Sequence, residues 1–168
     1  MRPVLFISTL LLAFSVAGTA QSPKPSVSIT AINVEVEGGK TLQMGAADLA
    51  KLPRIEVKAK DHDGVEGTYS GFELRSIVAP AGAKLGKDLK GAAIAQYVVV
   101  EAADGYHAVY SITELDPDFT DKTVILADKR DGKALDAKNG PWQVIATNEK
   151  KHARWVRQVT ALKVRIAR

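Results

Sequence analysis

From residue 28 onward, turn signals cut the chain into short apolar runs, and this punctuation restricts it to a sheet-rich domain. Ser28 to Val36 reads as a strand with Ile32, Val34 and Val36 on one face, and Glu37-Gly38-Gly39-Lys40 turns it into a hairpin. Arg54 to Lys60 alternates with Ile55, Val57 and Ala59 inward, the period of a half-buried strand. Ile94 to Glu101 is predicted to pair with Tyr106 to Ile112 across Asp104-Gly105. Thr123 to Ala127, Trp142 to Ala146 and Leu162 to Ile166 are further expected strands. Asp61-His62-Asp63-Gly64, Asp131-Gly132 and Asn139-Gly140-Pro141 are turn or loop signals. Helices are short. Ala46 to Leu52 is stopped by Pro53, and Phe72 to Val78, with Phe72, Ile77 and Val78 toward the core, is ended by Pro80 and Gly82. Thr113 to Asp116 has the look of a helix start. Many strands with few short helices predict an α+β domain with a mixed β-sheet.

The first twenty residues are set apart by their pattern. Arg2 is followed by a mostly apolar Val4 to Ala17, then by the small residues Gly18 and Ala20 at the −3 and −1 positions of a cut after Ala20. That is a secretory signal peptide, and it predicts a periplasmic or secreted protein. The apolar run is short of the ~20 residues of a membrane span, so no stable span is expected after cleavage; an uncleaved anchor helix is the alternative. Residues 21–26 read as a linker and residues 27–168 as the domain, expected to be a monomer. The chain has no cysteine. It therefore has no disulfides, no lipidated cysteine, no thiolate metal ligand and no cysteine nucleophile.

Charge is concentrated at one end. Residues 149–168 hold seven Lys or Arg against Glu149 alone, whereas residues 21–148 sum to −3. A cationic end suits nucleic acid, an anionic surface or an anionic cofactor, and export argues against nucleic acid. A strand edge guarded by solvated Lys and Arg is the other reading of the same residues.

Four segments, in this order, carry a family resemblance: YSGFELRSIVAPAGA (69–83), VVVEAADGYHAVYSITEL (98–115), VILADKRDGKALDAKNGPWQVIA (124–146) and HARWVRQVTALKV (152–164). Together they resemble the molybdopterin-binding domain of the sulfite oxidase family, in its small exported single-domain form. The resemblance implies an α+β mixed-sheet domain of that type, molybdopterin as cofactor and oxidoreductase chemistry. By position it assigns His152, Arg154 and Arg157 to the phosphate of the pterin, with His107 and Asn139 as further cofactor contacts. Lys and Arg suit a compact dianion, and Arg can hold it bidentately. Trp155 reads as core or as pocket wall, with core preferred because a single Trp in a terminal strand usually packs.

The chain also departs from the family. The family ties molybdenum to the protein through one Cys thiolate, and the matching stretch, RIEVKAKDHDGVEGTYSG (54–71), has none. Lys60, Asp61 and His62 stand near that position, and none replaces a soft anionic ligand, so molybdenum is not supported. Asn139 stands where the family has His, and Gln143 stands near an Arg position. The expectation is an exported oxidoreductase-like protein that binds an anionic pterin or similar small anion in a basic pocket. The alternative is a non-catalytic ligand- or protein-binding module that has lost molybdenum chemistry. His62, His107 and His152 each lie in a segment that the resemblance brings around the cofactor. They read either as a set of imidazoles for a first-row metal, with Asp61 and Asp63 adding oxygens, or as three separate surface histidines. No H-x-x-H or H-E-x-x-H spacing and no G-x-S-x-G elbow is present.

Overall fold

Residues 28–168 are described by a computed structural model; the expected signal peptide (1–20) and linker (21–26) lie outside the described residues. The strands are β1 (Ala31–Val36), β2 (Thr41–Gly45), β3 (Arg54–Lys60), β4 (Glu66–Glu73), β5 (Gln96–Ala102), β6 (His107–Ser111), β7 (Val124–Arg130), β8 (Lys133–Ala134), β9 (Gln143–Ala146) and β10 (Val159–Ile166). The helices are α1 (Ala46–Leu49) and α2 (Leu74–Val78), with single 3₁₀ turns that include Ile112–Leu115 and His152–Arg154.

The strands form two sheets. The first has the order β2-β1-β10-β5-β6 and is mixed, because β1 and β10 run parallel while its other pairs are antiparallel. The second is antiparallel, with the order β3-β4-β7-β8 and β9 also on β7. Val34 pairs with Leu162, and Leu162 with Val100, so one face of the first sheet is a continuous apolar surface. The two-residue side-chain period fixes this register, since a one-residue slip would turn every one of these side chains to water. In the second sheet Val124–Ala127 and Gln143–Ala146 are buried throughout. Side chains of both sheets and α2 form one core. Each fully buried aliphatic there contributes about 1.5–3 kcal/mol. The α+β class expected from the sequence is present, built on two sheets.

Several boundaries differ from the expected ones, and β4 differs most. The expected helix from Phe72 begins only at Leu74, because Phe72 is a ladder residue, paired with Arg54 on one side and Leu126 on the other. Gly71 allows this close approach. A Cβ there would meet the Leu126 carbonyl oxygen and come within 2.6 Å of the Ala127 Cα. Two-sided strand pairing outweighs the local helix preference. The first expected helix ends at Leu49, and Ile94 sits in a 3₁₀ turn ahead of β5.

Candidate functional site

One groove is built from three connections and the segment before β10. The β3–β4 turn is held by Asp61, whose carboxylate accepts the backbone N–H groups of Asp63 at 3.0 Å and Val65 at 2.9 Å. Arg130 Nη1, at the end of β7, lies 2.9 Å from the same carboxylate. The Val65 amide, followed by Arg130 and the Asp63 amide, keeps this carboxyl below the usual range against a smaller opposing effect of burial. Asp131, in the β7–β8 turn, accepts the Thr68 N–H at 2.8 Å and also faces Arg130. In the loop before β9, Asp136 accepts the backbone N–H of Lys138 and the side-chain and backbone N–H groups of Asn139. This ties Asn139 back onto its own loop, just ahead of the cis Gly140–Pro141 peptide.

Trp155 closes the site from the fourth side. Its indole donates to the Ala146 carbonyl at 3.1 Å. Its ring meets Tyr69 edge-on at 5.7 Å and the His152 ring at 4.2 Å. Trp155 is thus a core residue, only 8% exposed, and also part of the groove wall.

The groove has two lobes. The first, of about 570 Å³, is lined among others by His62, Asn139, Gln143, His152 and Arg157. The structure therefore brings together Asn139, His152 and Arg157, with His62 from the region that lacks the cysteine and Gln143 from the altered loop. The second lobe, of about 930 Å³, shares Asp61, His62, His152, Trp155 and Arg157 with the first.

Charge in the first lobe is not simply basic. Asp61, Asp63, Asp131 and Asp136 line it together with Arg130, Lys133, Lys138 and Arg157. Each carboxylate has a partner: Arg130 and turn amides for Asp61 and Asp131, loop amides for Asp136, and His62 at 3.3 Å for Asp63. Arg157, Lys133 and Lys138 make no ion pair among the described residues. Gln143 is 6% exposed and makes no side-chain hydrogen bond among the described residues. No side-chain polar atom there is both fully buried and unpartnered, so the Gln143 amide opens to the groove it lines. The uncommitted groups of the lobe are cations, the Gln143 amide, the Tyr69 hydroxyl and the His152 imidazole, and no carboxylate.

Two expected site residues lie elsewhere. Arg154 is turned away from the groove. Its guanidinium meets Glu114 at 2.9 and 3.1 Å, meets Glu149, donates to the Val109 carbonyl and lies 4.4 Å from the centre of the Tyr110 ring. Its hydrogen bonds to the Glu114 carboxylate raise its pKa further. Burial pushes the Glu114 carboxyl up, but hydrogen bonds from Arg154, Lys122 and the Ser111 amide outweigh it and bring it to about 2. His107 opens β6, an edge strand of the first sheet, with Nε2 3.4 Å from Glu101. It lines neither lobe. The three histidines are thus not assembled into one set, and among the described residues no three His, Asp or Glu side chains stand where they could share a metal ion.

Tyr69, Arg130, Lys133 and Lys138 were not singled out from the sequence, although all four line the first lobe. Their sole signal was proximity in sequence to the turn motifs that close it.

These features define an α+β domain of two sheets with a polar groove built from its connecting loops. Among solved structures, the sulfane dehydrogenase SoxCD from Paracoccus pantotrophus has the same fold, with a TM-score of 0.63 and 18% identity over 80% of this chain. The match spans 37% of that chain, so this protein corresponds to little more than a third of it. No family profile matches the sequence, and no curated protein matches it.

Proposed function

We propose that this is an exported, monomeric ligand-binding module that holds a small organic anion, a phosphate-bearing pterin being the leading candidate, without molybdenum redox chemistry. One observation carries the reading: in the first lobe the carboxylates are all engaged, while Arg157 and the buried Gln143 amide are not. Arg157 suits a phosphate or carboxylate, which it can hold through two parallel N–H groups. The Gln143 amide offers a donor and an acceptor to the edge of a polar heterocycle. The rings of Trp155 and His152, tilted 58° to each other, supply aromatic surface beside them.

The metal does not fit these residues. In the family that the sequence resembles, a soft Cys thiolate ties the metal, and this chain contains no cysteine. Asp61, near that position, is already held by Arg130 and two amides. No redox step is therefore assigned to the groove.

The test is a calorimetric titration with pterin-6-carboxylate and with inorganic phosphate. Both should bind the wild-type protein, and Arg157→Ala should weaken them by about 1.5–3 kcal/mol, the value of a charged hydrogen bond. Gln143→Leu should weaken the pterin and spare phosphate. Equal affinity of Arg157→Ala and wild type for both would overturn the reading, as would stoichiometric molybdenum in protein purified from its native host.

A further inference from the structure

The second lobe is larger than one phosphate requires, and its chemistry is simpler than that of the first. Its volume of about 930 Å³ lies near the upper end of whole small-molecule pockets. Lys58 and Lys60 reach it from β3, and Lys150 and Lys151 from the connection after β9. All four are exposed and make no ion pair among the described residues. Arg157 is shared with the first lobe.

In the sequence these lysines have acidic neighbours that ought to offset them. The structure engages two of them with other cations and leaves Glu66 opposite Lys60. Glu149 precedes Lys150, but its side chain is only 8% exposed and points to Arg154 and Lys122. Asp61 follows Lys60, but it is held by Arg130. Glu66 is the one carboxylate lining this lobe without a partner among the described residues. Glu149 still lines the lobe, but the ion pairs that hold Arg154 away from the groove also neutralise its carboxylate. What remains is an open groove with an excess of free cations, between two segments that are distant in sequence.

Guarding a sheet edge accounts for Lys58 and Lys60, since β3 is an edge strand. It does not account for Lys150 and Lys151, which lie on no strand. Lys58 and Lys60 are two residues apart on one face of a strand, about 6.6 Å along it, a spacing suited to successive charges on a chain rather than to one compact ion.

We propose that the groove as a whole takes an extended polyanion, a linear chain of phosphate groups. Its end lies against Arg157 in the first lobe, and its further phosphates run past Lys58, Lys60, Lys150 and Lys151 in the second. This rests on the reading of the first lobe as an anion site and extends it to the ligand's length.

The test compares inorganic phosphate, tripolyphosphate and a long linear polyphosphate as ligands of the full chain. Affinity should rise with length, by at least about tenfold from phosphate to the long polymer, because linked sites bind as one. Its dependence on salt should steepen with length, as more cations are engaged. The variant K58Q/K60Q/K150Q/K151Q should keep the phosphate affinity within about twofold and lose the gain with length. A control with the same charge change outside the groove, K84Q/K87Q/K90Q/K129Q, should keep the gain. Vesicles of phosphatidylglycerol should not bind comparably, since a flat surface meets the exposed lysines without placing a phosphate against the half-buried Arg157. The proposal is overturned by a length-independent affinity, by equal loss in both quadruple variants, or by equal binding to vesicles. Phosphate bound through Arg157 with no gain in length would sink the polyanion and leave the first-lobe reading standing. A gain that needs the four lysines while Arg157→Ala changes nothing would overturn the first-lobe reading and, with it, a ligand whose end lies against Arg157.

Discussion

Arg130 Nη1 lies 2.9 Å from Asp61 Oδ2, joining the end of β7 to the β3–β4 turn across the groove wall. The same guanidinium lies 5.3 Å from the Tyr69 ring centre, and Tyr69 in turn packs edge-on against Trp155. A cation, a phenol and an indole thus form one side of the site. The pair with Asp61 also decides how much positive charge the site presents.

Asp61→Asn should make the groove a better anion site. It removes a negative charge and releases Arg130, while the neutral amide can still accept the turn N–H groups. Phosphate affinity should rise about two- to fivefold, the scale of a partly exposed ion pair. Isothermal titration of the two proteins side by side measures it, and an unchanged or weaker affinity would show that Arg130 does not reach the ligand.

Stability should fall in acid through Glu114. Its carboxyl titrates near 2 when folded and near 4.5 when unfolded, so the unfolded chain takes up the proton first as pH falls. Its contribution is complete above about pH 5 and declines between roughly 4.5 and 2. Screening at this partly exposed site leaves about 1–2 kcal/mol of the effect. Urea midpoints at pH 6 and pH 3 should converge in Glu114→Gln relative to the wild type, and a difference of the same size in both proteins would assign the acid loss to other groups.

Arg154 and Arg157, three residues apart, should separate stability from binding. Arg154→Ala leaves Glu114 and Glu149 without their main partner and should cost about 2–3 kcal/mol, below the value for a fully buried pair because Arg154 is 31% exposed. Arg157→Ala should leave the melting temperature almost unchanged and abolish most phosphate binding. Thermal unfolding and phosphate titration on both variants give four readings, and the opposite assignment would show that Arg154 reaches the ligand.

Gly71→Ala should be among the most damaging single changes. The added methyl meets backbone, not a flexible side chain, so β4 and β7 must separate. The loss should be about 3 kcal/mol or more, read from denaturant midpoints. Near-native stability would mean that the two strands part at little cost.

The strands that the sequence revealed best are those with a clean two-residue period, such as β3 and the β5–β6 hairpin. The fold class followed from them. β4 was hidden because its paired residues, Tyr69 to Phe72, carry no alternation: four consecutive positions are buried between two neighbouring strands. The segments that converge on the groove were visible as ordered motifs, which is how Asn139, His152 and Arg157 came to be grouped. The opposite directions of Arg154 and Arg157 were not visible. Arg154 is oriented by Tyr110, Glu114 and Glu149, two of them at least 40 residues away, and no local pattern reports such partners. His107 followed a turn motif into the expected group, yet its cross-strand partner Glu101 keeps it on the first sheet.

The position of β10 governs when this protein can finish folding. It is inserted between β1 and β5, with β1 joined to the rest of its sheet solely through it. Without Val159–Ile166 that sheet is two unjoined fragments, β2-β1 and β5-β6. Joining them takes contacts as distant in sequence as Asn33 with Ala161, the kind of topology that folds in milliseconds to seconds.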